Sequence, residues 1–147
     1  MDINKNKTII TTNKQELPWY IIDAKEWKLG RLSSKITYIL KNKNSKEYLP
    51  YKPGKSKIII INSQEIKVTG NKIKQKSYKK HSGRPGGLKT ETFETLQKKI
   101  PNKILEHAIK GMMPKSSLGR KLMKNIKIYP NNKHPHINQK IIKLNIE

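Results

Sequence analysis

Few residues of this chain have the types and spacing that catalysis needs. Only two aspartates occur, Asp2 and Asp23, and no carboxylates cluster. Paired acids for glycosyl transfer or two-metal phosphoryl chemistry are therefore missing. Ser33, Ser82 and Ser116 would each need a placed base and acid to act as nucleophiles, and no G-x-S-x-G is present. Gly54-Lys55-Ser56 looks like the end of a phosphate-binding loop, but the first glycine of that motif would fall at Leu49. His134 and His136 could begin a zinc site. One or two more ligands would be required, cysteine is absent, and no acid follows until Glu147. The expectation is no catalysis, no metal, no cofactor and no small-molecule substrate. His107 reads as a packing or surface residue.

Positive charge is what the chain has in abundance. Its 147 residues carry 33 Lys and Arg against 10 acids, a net charge of +23. Such a field repels itself and favours a polyanionic partner. A membrane surface is the alternative, but no apolar run of about 18 residues exists to span one. Only 33% of residues are hydrophobic, so the core must be small for the length. With no cysteine, disulfides are excluded.

Two stretches concentrate the charge. Glu106 to Tyr129 carries Lys110, Lys115, Arg120, Lys121, Lys124 and Lys127, with His107, among apolar anchors. Gly111 is expected to end one helix and Pro114 to open the next. Leu118, Leu122 and Ile126 would then form a buried stripe, leaving Lys115, Arg120, Lys121 and Lys124 facing outward. The free N–H groups of the new helix would suit phosphate. The second stretch, Tyr78 to Lys89, holds three glycines and a proline, which makes a regular element unexpected. Gly86 and Gly87 would let backbone approach a ligand closely, with Lys79, Lys80, His81, Arg84 and Lys89 supplying charge. The G-R-P-G-G run is not a dinucleotide fingerprint.

Arginine is scarce. Arg31, Arg84 and Arg120 are the only three, and each directly follows a glycine. Where charge alone suffices lysine serves, so an arginine marks a place for its planar fork on phosphate or a base. Lys28 adds charge beside Arg31. Basic loops and tails suit irregular folded RNA, recognised by shape, phosphates and unstacked bases. Neither a helix-turn-helix nor a finger pattern is present. Lys133, His134 and His136 join the RNA-facing set, the imidazoles by stacking or hydrogen bonding.

The elements that must hold these residues are legible in outline. Trp19 to Asp23 predicts a short strand, and Leu29, Leu32, Ile36, Ile39 and Leu40 predict a helix from Gly30 to about Lys41. Asn42 to Lys57 reads as a polar loop. Ile58 to Ile61 predicts a central parallel strand, buried on both faces. Lys72, Lys74 and Lys76 predict an extended arm. Thr90 is expected to cap a helix with Phe93 and Leu96 facing inward, and Pro101 to open another helix. Ile141, Ile142, Leu144 and Ile146 would dock as a short strand. The fold class is α/β: three α/β/α layers around a small, mostly parallel sheet, with basic loops and terminal extensions. Residues 1–16 read as a polar N-terminal extension without the marks of a secretory signal or transit peptide. Residues 17–130 form the domain, and 131–147 a turn-rich tail. Both ends are expected to order on a partner.

Five pieces, in order, carry a resemblance: W-Y-I-I-D-A at Trp19, L-G-R-L at Leu29, V-T-G-N-K at Val68, H-S-G-R-P-G-G-L-K at His81, and G-M-M-P-K-S-S-L-G-R-K at Gly111. Together they resemble the L-thirteen family of large-subunit ribosomal proteins over nearly the whole chain. The resemblance implies binding to 23S-type ribosomal RNA, neighbouring ribosomal proteins as partners, and a role in early subunit assembly. The pieces look most like cyanobacterial and plastid members. With the Lys-, Asn- and Ile-rich composition of an AT-rich genome, this favours a plastid-encoded protein, the alternative being a bacterial cytoplasmic ribosome. The family's acidic D-T-G-D turn is replaced here by K-P-G-K-S-K. On residues alone, a free regulatory RNA-binding protein and a histidine-dependent metal nuclease stay open as other classes.

Overall fold

A computed structural model of the chain describes residues 18–46 and 48–144. The extension 1–16 with Leu17, residue 47, and residues 145–147 of the tail, Ile146 among them, lie outside this range.

Strand β1 (Trp19–Asp23) leads into α1 (Leu29–Leu40), and β2 (Lys57–Ile61) returns parallel beside β1. The chain then makes α2 (Lys72–Gln75), β3 (Ser77–His81), β4 (Leu88–Thr92), α3 (Phe93–Lys99), α4 (Pro101–Met112) and α5 (Ser117–Met123). It finishes with β5 (Ile126–Ile128) and β6 (Ile141–Lys143). The main sheet has the order β5-β2-β1-β6, and every pair in it is parallel. This is the expected α/β class, a parallel sheet flanked by helices. β3 and β4 form a separate antiparallel hairpin.

Four β-branched residues make β2 the centre of the sheet. Ile58, Ile59, Ile60 and Ile61 are all buried, so neither face is left to water. Ile58 and Ile60 join the core with Ile22, Leu32, Ile36, Phe93, Ile104, Leu105 and Ile109. Helix α1 packs against α4 over this core. Two hydroxyls lie on the buried face of α1, and both are satisfied within the helix. Ser33 Oγ donates to the Leu29 carbonyl at 2.7 Å, and Thr37 Oγ1 to the Ser33 carbonyl at 2.8 Å. The helix stops at Asn42, whose positive φ of 59° suits an asparagine. Asn42 N–H donates to the Ile39 carbonyl and Lys43 N–H to the Tyr38 carbonyl, a Schellman closure. Gly54 presses on the same helix end: a Cβ there would lie 2.0 Å from the Leu40 carbonyl oxygen. That contact explains the glycine of Gly54-Lys55-Ser56 without any phosphate.

Pro101 opens α4 as expected, and Phe93 and Leu96 are buried. Asn102, in the first turn of α4, fixes the helix to its surroundings. It accepts from Ser63 Oγ at 2.6 Å and donates to the Ile128 carbonyl at 3.1 Å. β6 docks parallel on β1, so residues of the predicted tail complete the sheet edge.

Several local expectations are corrected. Lys72 to Gln75 forms a helical turn, not an extended arm. Tyr78 to Lys89 is not irregular, because strands flank its turn. The cap of α3 is Thr92, two residues after Thr90; its Oγ1 accepts from Thr95 N–H. Gly111 lies inside α4, which runs on to Met112. α5 starts at Ser117 behind Ser116, three residues after Pro114. It ends at Met123, so Ile126 is buried from strand β5 and not from the helical stripe.

Candidate nucleic-acid interface

The hairpin builds one wall of the site. Its turn, Ser82 to Gly87, needs glycine twice for left-handed backbone: φ is +88° at Gly83 and +73° at Gly86. Gly87 is required for space, since a Cβ would meet Ser82 Oγ at 2.0 Å and the Arg84 carbonyl oxygen at 2.9 Å. His81 Nδ1 accepts from Gly83 N–H at 2.9 Å, so this imidazole is engaged in closing the turn. Gly86 and Gly87 thus have structural work of their own, and Arg84 is carried, exposed, on a tight hairpin tip.

Helix α4 forms the floor. Tyr78 of β3 meets His107 of α4 edge to face, with ring centroids 5.4 Å apart. This contact joins hairpin to helix, and partial burial raises the Tyr78 hydroxyl above its ordinary pKa. Lys76 Nζ lies over the same ring at 5.6 Å, within cation–π range. Between hairpin and helix runs a groove of about 690 Å³. Lys79, Lys80 and Lys89 line it from the hairpin, and Lys103 and Lys110 from α4. Glu91 is its only acid, and Glu91 already faces Lys99 at 3.8 Å.

A second cavity, of about 590 Å³, adjoins the first, sharing His107 and Lys110 with it, and extends to α5. Lys115 and Arg120 stand on its rim. Arg120 is held there by a close helix–loop contact. Gly119 is buried, and a Cβ on it would lie 1.9 Å from the Pro114 carbonyl oxygen. The glycine before Arg120 therefore serves packing, as the glycine before Arg84 serves a turn. Gly30, before Arg31, meets neither demand: nothing lies within 4 Å of an added Cβ, and its φ is not positive.

The predicted residues thus divide. Lys79, Lys80, Lys89, Lys110, Lys115 and Arg120 line two adjoining cavities, with Lys110 in both. Lys28 and Arg31 sit at the start of α1, Lys28 being its cap residue. Lys121 and Lys124 are exposed on and just after α5, and Lys127 on β5. Lys133 is exposed on the tail. His134 and His136 lie in an aromatic cluster on the protein itself. Tyr129 Oη and His136 Nε2 are 2.9 Å apart, and the His136 ring lies 5.1 Å from Trp19. His134 Nδ1 accepts from His136 N–H at 3.3 Å. Among the described residues no group of three potential ligands surrounds them. Lys76, Lys103 and His107 line the groove but were absent from the sequence-derived set. A signal existed: Lys103, His107 and Lys110 are spaced i, i+4, i+7, one face of a helix.

Fold and site together define a class, a small α/β domain with a lysine-lined groove of the kind that suits a polyanion. The comparisons are more specific. Residues 17–135 match the model of the family described as Ribosomal protein L13. The chain is similar to the large ribosomal subunit protein uL13c of Porphyra purpurea, 52% identical over 92% of this chain and 95% of that one. It is 54% identical to uL13c of Gracilaria tenuistipitata var. liui over 91% and 94% of the two chains. To uL13 of Acaryochloris marina it is 47% identical over 95% and 91%. The chain belongs to the ribosomal protein L13 family.

Proposed function

We propose that the chain is a structural, non-enzymatic constituent of the large subunit of a plastid ribosome, bound to 23S-type ribosomal RNA. In this reading residues 17–130 form the binding domain, with 1–16 as an N-terminal extension and 131–147 as a C-terminal tail whose strand β6 packs back on the sheet. Membership of the family supports a role in early subunit assembly, and a charge of +23 favours a polyanionic partner. One observation carries the RNA contact: a family member presents a continuous groove lined by lysines that make no ion pair among the described residues. The plastid-type relatives, together with thirty lysines against three arginines, support a plastid gene.

Gradient fractionation of the source organelle tests the reading. The protein should sediment with large subunits at low salt and leave them as salt rises. Protein that stays in the free fraction would return the argument to a regulatory RNA-binding protein.

A further inference from the structure

The two adjoining cavities differ in chemistry, and the difference suits them to different parts of one ligand. The groove between hairpin and α4 is walled by lysines, with the single acid Glu91 already facing Lys99. Beyond His107 the floor becomes apolar: Met113, Pro114 and Met123. Charge returns only at the rim, with Lys110, Lys115 and Arg120. Phosphate has no reason to enter an apolar floor, because it would lose its hydration without a hydrogen-bond partner. A nucleobase does, since its faces are apolar and its edges polar. Methionine sulfur and the guanidinium plane of Arg120 both suit a π-face. Glu106, also on the rim, can accept from an exocyclic amino group, which phosphate cannot offer.

Resting on the ribosomal RNA reading above, we infer that the cavity between α4 and α5 receives an unstacked nucleobase, while the adjoining lysine groove carries the flanking phosphates. The cavity shares His107 and Lys110 with the lysine groove, which argues for one strand running across both. The rim's charge argues for a nucleotide there and against an apolar protein side chain.

Gly111 makes the inference testable without disturbing the core. It lines the cavity, lies in α4, is exposed, and has nothing within 4 Å of an added Cβ. Gly111→Leu therefore places a side chain at the cavity while improving helix propensity. The probes are a single-stranded oligocytidylate and an abasic oligonucleotide of equal length and charge. Wild-type protein should bind the first about fivefold more tightly, the low end of what stacking one base contributes. Gly111→Leu should lose that preference and keep its affinity for the abasic strand. A preference left intact in Gly111→Leu, or absent from wild type, would overturn the base site while salt-sensitive binding of both probes would leave the RNA reading standing. An intact preference would leave the cavity to a side chain of a neighbouring protein. Failure of wild type to bind either probe, or ribosomal RNA itself, would overturn both.

Discussion

Two lysine-bearing surfaces adjoin one another and mean different things. On α3, Lys98 pairs with Glu94 at 2.9 Å, and Lys99 reaches Glu91 of β4 at 3.8 Å. Across the hairpin and α4, Lys79, Lys80, Lys89, Lys103 and Lys110 make no ion pair among the described residues. The paired lysines are exposed, and water screens each pair so that it contributes little to stability. The unpaired ones cost stability by mutual repulsion and keep their field for a partner. In a chain with few acids, the positions of those acids indicate which surfaces are finished without a partner. The α3 face is finished; the groove is not.

That contrast predicts a graded series. The largest effect should come from replacing Lys79, Lys80, Lys103 and Lys110 together with Gln. If each neutralises one phosphate, the log–log salt slope for single-stranded RNA should shrink by about three. An unchanged slope in a salt titration would move the binding face elsewhere. Next, Gly119→Ala should destabilise the fold by about 1–3 kcal/mol, since its Cβ cannot fit against Pro114. Gly111→Ala, with open space, should instead stabilise by about 0.5–1 kcal/mol. Urea unfolding of both separates a glycine required for packing from one that merely lines a cavity. Arg120→Lys should weaken RNA binding by about 1–2 kcal/mol with an unchanged circular dichroism spectrum, because an ammonium cannot make the paired hydrogen bonds of a guanidinium. Lys98→Arg should leave RNA affinity at wild type.

The smallest effect is electrostatic and belongs to the finished face. The Lys98 ammonium, hydrogen-bonded to Glu94, holds that carboxyl below its ordinary value. A group with a depressed folded pKa contributes stability above its unfolded pKa and loses it as pH falls through the folded one. Both partners are exposed, so Glu94→Gln should flatten the acid limb of the stability profile only slightly.

Legibility in the sequence followed burial. Four consecutive isoleucines announce a strand covered on both sides, and Pro101 before an apolar face announces a helix start; both stand as expected. The hairpin was not legible. Lys79, Lys80, His81, Leu88, Lys89 and Thr90 are all exposed, so no apolar alternation marks its strands. Backbone pairing and the Tyr78–His107 contact hold it, and neither leaves a periodic trace. The start of α5 was misread because Pro114 is a strong signal for a first turn, while the cap position falls at Ser116, where serine is favoured. The site was legible as charge-rich stretches but not as a place. Its walls come from β3, β4, α4 and α5, and only tertiary packing shows that Lys80 and Lys110 line one groove. The same packing turned His134 and His136 inward, towards Tyr129 and Trp19.

Lysine footprinting with an acylating reagent, on the free protein and on assembled large subunits, compares the two surfaces in one experiment. Lys79, Lys80, Lys89, Lys103 and Lys110 should react freely in the isolated protein and be protected in the subunit, while Lys98 and Lys99 react alike in both. Groove lysines that stay reactive in the subunit, with Lys98 and Lys99 protected instead, would contradict the assignment of the RNA to the unpaired face.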